Sequence, residues 1–481
     1  MADEIELKLE LSSADAERML GSKLFADDAK TVKQVATYFD TGDHAVAKAG
    51  LSLRIRRTGD VRIQTIKADG PSAVGLFVRT EWERSVDSDT PHLDHTTPLP
   101  MMLGDAVDQI APIFDVRVER RKWIMDEEGT SIEVVLDRGE VAAGDHLAPI
   151  CEIELELKLG DPAALFGLAR RIEAIVPVRL GVVTKSERGY RLIPAPQASI
   201  KALTIALPSD GSTADAFRHI VQSCIRQFRL NEDLLFETRD PKALHQARVA
   251  IRRLRSAFSI FKPMIGDAGA GLGEELRWLA ACLGDVRDLD VLLGRAPSGA
   301  LREQIAAARE TAYDALFDIL AGDRARAIML NIVQFLAQSR WVDEDGFGAQ
   351  PARLFATTVL ARLRRRIKRR GRAIAGSDDE ARHDVRKDAK KLRYASEFFG
   401  SLFSRKREQR RQKRFVAALE GLQDRLGTLN DLVTARDVMT RHGWIGQAGA
   451  DALLPSDRGR KKLLQQADDA YDELFDTKRF W

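Results

Sequence analysis

Glu4, Glu6 and Lys8 alternate with Ile5, Leu7 and Leu9 near the start of the chain. The run Glu152-Ile153-Glu154-Leu155-Glu156-Leu157-Lys158 repeats the arrangement. Alternation is the period of a β-strand, so each run puts its carboxylates and a lysine on one face. An outward-facing sheet with cross-strand ion pairs is the plain alternative, but stacking repelling carboxylates gains such a sheet nothing. Inside a closed barrel the same groups would supply hard oxygen ligands for Mg2+ or Mn2+. Asp137 closes another alternating stretch and joins Glu4, Glu6, Glu152 and Glu154 as a candidate metal ligand. Lys8, Arg54, Arg56, Lys67, Arg79, Arg117, Arg120 and Lys185 offer a cationic wall for an anion. No Ser or Cys stands in a nucleophile context, so nothing points to covalent catalysis.

The elements that must position these groups are short strands. Strand-like stretches run at 33–40, 51–57, 61–67, 76–85, 117–125, 131–138 and 150–159. Helices are expected at 12–22, with a cap in Ser12-Ser13-Ala14-Asp15, and at 162–176. So many strands with so few helices point to an antiparallel sheet or barrel, not to βαβ units. Pro194, Pro196, Pro208 and the run Ser209-Asp210-Gly211-Ser212 then punctuate the chain. The expected organisation is a β domain over 1–195, a linker over 196–208 and an all-helical domain over 209–481. The fold class is therefore α+β, with the second domain built from two repeats of about 209–345 and 346–481.

The repeats are visible as residues. His245, Arg248, Arg252 and Arg255 return as His383, Arg386, Lys390 and Arg393, an offset of 138. Leu283-Gly284-Asp285-Val286-Arg287-Asp288-Leu289 returns as Leu426-Gly427-Thr428-Leu429-Asn430-Asp431-Leu432. Duplication predicts two similar helical halves about a pseudo-twofold axis. Within each half the bases stand at i, i+3, i+7 and i+10, one stripe on a helix. Like charges so placed repel, so an isolated helix gains nothing from them and a linear polyanion is the natural partner. Asp288 and Asp431 either fix these arginines or cap helices. The further basic runs Arg362 to Arg372 and Arg405 to Arg414 have no counterpart in the other repeat and fit solubility charge equally well. The basic stretches lack interleaved aromatics and no nucleic-acid motif stands out, which argues against a nucleic-acid partner.

Charge divides the same way. Residues 1–200 hold 25 Lys/Arg against 34 Asp/Glu, while 201–481 hold 50 against 38. The acidic half suits a metal site and the basic half a polyanion. Cys151, Cys224 and Cys282 lie far apart without metal-ligand spacing, as in a reduced cytoplasmic protein. No opening apolar run suggests a signal peptide, and no apolar stretch reaches the roughly 20 residues of a membrane helix.

These motifs resemble a known family pair. Glu4-x-Glu6-x-Lys8, Arg54-x-Arg56, Lys67, Arg79-x-Glu81-x-Glu83, Asp137, Glu152-x-Glu154-x-Glu156 and Lys185-Ser186 occur in the order of a CYTH domain, the triphosphate tunnel metalloenzyme fold. His245-x-x-Arg248 with Arg252-Arg253-Leu254-Arg255, and its echo from His383 to Arg393, resembles a CHAD domain. CYTH followed by CHAD is similar to bacterial inorganic triphosphatases. The resemblance implies an antiparallel eight-stranded tunnel that hydrolyses inorganic triphosphate to pyrophosphate and phosphate with Mg2+ or Mn2+. It gives Glu4, Glu6 and Lys8 catalytic roles and assigns phosphoryl contacts to Lys8, Arg54, Arg56, Lys67, Arg79, Arg120 and Lys185. Arg117 and Arg120 both fall near one expected tunnel base. It also implies that the helical domain binds inorganic polyphosphate through both stripes together with Arg253, Lys387 and Lys391, with polyphosphate granules as a further location. The same family includes thiamine and nucleotide triphosphatases and adenylate cyclases. A non-catalytic polyphosphate-binding protein is the reading of a different class.

Overall fold

A computed structural model describes residues 4–25, 29–68, 75–127, 129–194, 197–338, 341, 346–372, 374–454 and 457–481, without the side chains of Glu4, Val78, Arg79, Asp457 and Arg458. The chain divides into two compact units, residues 1–197 with 326–338, and residues 198–325 with 339–481.

The first unit is built on ten strands: β1 (Glu4–Glu10), β2 (Lys30–Asp40), β3 (Leu51–Thr58), β4 (Val61–Ala68), β5 (Leu76–Arg79), β6 (Glu81–Ser85), β7 (Ala111–Glu127), β8 (Thr130–Ala143), β9 (His146–Leu159) and β10 (Arg179–Leu180). Every pairing is antiparallel. Thr80 alone separates β5 from β6. β6 pairs with β4 while β5 pairs with β1, so the two halves of one interrupted strand close the path β1-β9-β8-β7-β2-β3-β4 back onto β1. The result is an eight-stranded antiparallel barrel, and closure leaves one face of each strand inside.

The alternation then decides which residues face which side. On β1 and β9 the apolar set Leu7, Leu9, Ile153 and Leu155 is outside and almost fully buried. Helix Ala163–Glu173 covers it, with Leu165, Phe166, Ala169 and Ile172 at 0 % exposure. Each such Leu, Ile or Phe side chain contributes about 1.5–3 kcal/mol on burial. Ser12 caps helix Ser13–Leu20 by accepting from Asp15 N at 3.0 Å, at the expected place. Three strands, β7, β8 and β9, run to 17, 14 and 14 residues, longer than their alternation suggests. The reason lies inside the barrel, where Ala36, Tyr38, Phe114, Val116, Val118, Val141 and Ile150 pack together and fill one end with apolar groups.

Helix Lys185–Leu192, which the sequence reading did not mark, lies against β7, β8 and β9. Its Thr184 cap accepts from Glu187 N at 3.1 Å. Gly189 makes this seating possible, because a Cβ there would stand 2.2 Å from the Phe114 ring.

The second unit is helical. Helices Thr213–Thr238, Pro241–Ile260, Ala270–Arg295 and Ala300–Ala321 form one set, and Ala352–Arg370, Asp379–Phe398, Lys406–Arg441 and Asp457–Asp476 the other. Within each set the first helix packs on the second, the second on the third and the third on the fourth. Across the sets like packs on like: first on first, second on second, third on third. That is the pattern of an approximate twofold axis. Phe217, Phe261, Phe355 and Phe399, two pairs separated by the same 138 residues, meet with ring centroids 4.9–6.2 Å apart and are all buried. Aromatic packing at these distances adds to the area term. The stretch 198–207 belongs to this unit: Ile205 and Leu207 are buried, and Leu207 N donates to Ser401 Oγ at 2.9 Å.

Candidate active site and polyanion track

The barrel interior holds a cavity of about 580 Å3 lined, among the described residues, by nine basic and six acidic side chains. The bases are Lys8, Lys30, Arg54, Arg56, Lys67, Arg120, Lys122, Lys158 and Lys185, and the acids are Glu6, Glu81, Glu83, Glu133, Glu154 and Glu156. The formal balance of the lining is thus +3.

At its base lies a buried ionic cluster. β-sheet register sets Arg120 opposite Asp137, Asp137 opposite Glu152, and Lys8 opposite Glu154. Lys8 Nζ donates to Glu152 Oε1 at 2.9 Å and Glu154 Oε1 at 2.8 Å. Lys185 Nζ, delivered by the helix N-terminus, reaches Glu152 Oε1 at 2.5 Å, Glu154 Oε1 at 2.7 Å and Asp137 Oδ2 at 2.7 Å. Arg120 grips Asp137 with two bonds of 2.8 and 2.6 Å and reaches Glu154 Oε2 at 3.1 Å. Three cations and three carboxylates therefore share one buried volume.

Burial alone would lower the pKa of Lys185, but Asp137, Glu152 and Glu154 outweigh it and hold the ammonium well above its ordinary range. Lys8 is raised in the same way against its burial, by Glu152 and Glu154. Burial would raise the Glu154 carboxyl, and Lys185, Lys8 and Arg120 hold it well below the ordinary value instead. Gly181 gives Lys8 its room: a Cβ at that position would lie 2.5 Å from Lys8 Cγ.

Higher in the cavity, Lys67 pairs with Glu81, Arg56 approaches Glu83 at 3.7 Å, and Lys122 meets Glu133 at 2.6 Å. Arg54 differs. Among the described residues its one hydrogen bond is to Tyr38 Oη at 3.4 Å, and its Nε is buried without a hydrogen-bond partner.

Asp137, Glu152 and Glu154 bring carboxylate oxygens within 4.8 Å of one another, a set that could hold a metal ion. Glu152 Oε2 is buried without a hydrogen bond, with Arg188 Nη2 at 3.9 Å. These hard donors fit a small divalent cation, which would exchange with an ammonium contact on entry.

In the helical unit the two stripes converge. Arg248, Arg252 and His245 line a groove of about 470 Å3 together with Arg386, Lys390 and Arg393. Asp288 approaches Arg248 at 3.7 Å and Asp431 approaches Arg386 at 4.0 Å, repeat-related pairs. Both acids stand inside helices, so they steady arginines and do not cap. Burial, then Arg252, Arg386 and Arg248, push Lys390 down to about 5. Partial burial, then Arg287, Arg252, Arg248 and Lys390, push the solvent-touching His245 down to about 4.

Comparison with known proteins follows the same division. Residues 2–190 match the family model of the CYTH domain and residues 219–440 that of the CHAD domain. The chain is a CYTH domain joined to a CHAD domain. An inorganic triphosphatase of Haemophilus influenzae is 31% identical over 160 residues, 32% of this chain and 45% of that protein. The chain thus spans less than half the length of this curated relative. Among solved structures, the CHAD domain of the plant Ricinus communis is 28% identical, with TM-score 0.49, over 59% of this chain and 98% of its own. A Hippeastrum protein described as an adenylyl cyclase with a dominant triphosphatase activity is 22% identical, with TM-score 0.33, over 40% of this chain and 98% of its own.

Within the CYTH domain the barrel brings together Glu6, Lys8, Arg54, Arg56, Lys67, Arg120, Glu154 and Lys185 on the cavity wall, with Asp137 and Glu152 beneath. Glu4 and Arg79 face each other in the register of β1 and β5, and their side chains lie outside the described residues. Arg117 does not join them. It sits on the opposite face of β7 from Arg120, 52% exposed, and pairs with Asp115 at 3.2 Å and Glu140 at 3.6 Å. The sequence reading missed Lys30, Lys122 and Glu133. The two-residue spacing of Lys122 from Arg120 was the signal for one of them.

In the CHAD domain Arg253 also departs from its expected role. It is buried, bonds Glu397 at 2.5 Å and lies over the Phe398 ring, so it holds helices together. His383 bonds Asn430 through Nδ1 at 2.7 Å. Arg255, Lys387 and Lys391 line a second groove that continues from the first.

Proposed function

We propose that the CYTH domain hydrolyses inorganic triphosphate to pyrophosphate and phosphate with a divalent metal, and that the CHAD domain binds inorganic polyphosphate. The observation that carries the first part is a barrel cavity that sets nine cations against six lining acids and the two carboxylates beneath them, Asp137 and Glu152, among the described residues, with Arg54 in no ion pair or carboxylate hydrogen bond there. A compact polyanion supplies the missing negative charge. Among the described lining residues Tyr38 is the one aromatic ring, and such a wall suits an inorganic chain better than a nucleobase or thiamine ring.

Arg54, Arg56, Lys67, Arg120, Lys8 and Lys185 would orient the phosphoryl oxygens, with Arg79 as a further contact. Glu4, Glu6, Asp137, Glu152 and Glu154 would hold Mg2+ or Mn2+, which neutralises phosphoryl charge and lowers the pKa of bound water. Glu4 or Glu6 would orient the attacking water, and positioning with charge neutralisation would supply most of the rate. A reducing cytoplasm suits the free thiols Cys151, Cys224 and Cys282, with polyphosphate granules as a second location. No described helix is long and apolar enough to cross a membrane.

The test is a substrate panel on the full-length protein: inorganic triphosphate, ATP and thiamine triphosphate, each with Mg2+ and Mn2+, with cyclic AMP monitored. Inorganic triphosphate should have the highest kcat/KM, and Glu4→Ala or Glu6→Ala should remove most turnover. A higher kcat/KM for ATP, or accumulation of cyclic AMP, would overturn the substrate. Near wild-type rates in both glutamate variants would overturn the site.

A further inference from the structure

The helix Ala352–Arg370 carries an arginine face that the duplication does not explain. The 138-residue offset sets Phe355 on Phe217, Val359 on Val221 and Leu363 on Ile225, and all six are buried, so the register is secure. In that register Arg362, Arg365, Arg366 and Arg369 stand where the first repeat has Cys224, Gln227, Phe228 and Asn231. Those four first-repeat residues are buried, and Asn231 holds the backbone of Ile200 through bonds of 2.9 and 2.8 Å, so the stretch around Ile200 lies on that face. The second repeat leaves its equivalent face open. Arg362, Arg365 and Arg369 are exposed, and none of them forms an ion pair among the described residues.

This face is one wall of a groove of about 770 Å3 lined by Lys262, Arg362, Arg365, Arg366, Arg369 and Lys391, with no acidic side chain. It is continuous with the stripes. The groove between the stripes shares Arg252 and Lys390 with the second groove, which shares Lys262 and Lys391 with this one. Acidic lining residues fall from four to one to none along that path. Lys391 is the joint, held by a 2.7 Å bond from its Nζ to Ser259 Oγ.

We propose that the polyanion site of the helical unit runs from the repeat-related stripes past Lys391 onto the arginine face Arg362–Arg369, so that the unit selects long polyphosphate chains over short ones. The proposal rests on the polyphosphate reading above and adds a second binding segment present in one repeat only. A short chain is held by the stripes alone. A long chain engages both segments, and the second contact forms at the high effective concentration set by the first. The outer groove has no aromatic side chain on which bases could stack, which favours polyphosphate over single-stranded nucleic acid.

The experiment titrates full-length protein with short-chain and long-chain polyphosphate across a salt series. The variant Arg362→Gln with Arg365→Gln and Arg369→Gln should lose about tenfold or more in long-chain affinity, and its long-chain salt slope should fall by about 2, at roughly 0.7 per contact. Its short-chain affinity, thermal melt and triphosphate turnover should stay at wild-type values. Lys391→Gln should lower long-chain affinity as well. Equal loss for both chain lengths, or no loss for the long one, would overturn the extension while leaving the stripes as the site. Wild-type protein that bound neither chain would overturn the polyphosphate reading and the extension with it. Tighter binding of single-stranded RNA of matched charge would overturn the choice of ligand.

Discussion

The barrel and the helical track use the same cationic side chains in opposite electrostatic settings. In the barrel, Lys8 and Lys185 interleave with Asp137, Glu152 and Glu154, and both are held charged above their ordinary range. In the track, Lys390, Arg248 and Arg386 are crowded by other cations, and burial with that crowding lowers all three. A balanced cluster is rigid before any ligand arrives, which suits positioning for chemistry. An unbalanced one is strained until a polyanion enters, so it stores a demand for negative charge. The difference lies in where carboxylates fall in the sequence: every second residue on the strands, but mostly off the basic stripe on the helices.

The contrast can be broken most sharply inside the barrel. Lys185→Met should leave three buried carboxylates under-compensated and destabilise the protein by about 3–5 kcal/mol. Turnover should fall by roughly 10²–10³ through loss of a preorganised charge. Denaturant unfolding and steady-state hydrolysis read the two effects, and a variant normal in both would end the idea of a balanced cluster.

The equivalent change in the track should act with opposite sign on stability. Lys390→Met removes an amine whose charging burial and the neighbouring cations oppose, and should stabilise the ligand-free protein, while weakening polyphosphate binding about tenfold or more. Lys390 sits near 5 in the folded chain and near 10.5 when unfolded. The unfolded chain binds the extra proton between those values, so this residue's contribution makes stability rise with pH across that window. Melts of wild type and Lys390→Met at about pH 6 and about pH 9 should differ more at the lower pH. A constant difference would show that Lys390 is charged throughout.

The smallest expected effect sharpens the boundary of the site. Arg117→Ala should change kcat/KM by less than about twofold, as for a screened surface ion pair. Arg120→Ala should lose far more. Parity between the two, measured in one steady-state assay, would mean that the strand's two faces are not functionally distinct.

These outcomes also mark what the residues disclosed in advance. Strict alternation on β1 and β9 announced an inward charged face, because Ile5, Leu7 and Leu9 need cover while Glu6 and Lys8 need partners. The same logic failed on β7. There Val116 and Val118 share the inner face with Arg120 and Lys122, because the barrel is apolar toward one end. A pattern that changes from greasy to charged along one face has no clean period. The helical stripes were legible because helices show their periodicity over ten residues. The burial of Arg253 was not, since an arginine one residue off the stripe looks like its neighbours until Glu397 and Phe398 are in place. Closure through the split at Thr80 was equally hidden: 76–85 reads as one strand, and only pairing shows that its halves serve different neighbours.

The four phenylalanines on the helical pseudo-axis bear on how this half of the molecule comes apart. Phe217 and Phe261 come from one repeat and Phe355 and Phe399 from the other, and Phe261 packs against both rings of the opposite set. Neither duplicate owns a complete nucleus. The halves should therefore melt together in a single cooperative step, and a nick between them should still yield a paired, folded dimer of fragments instead of one independent half.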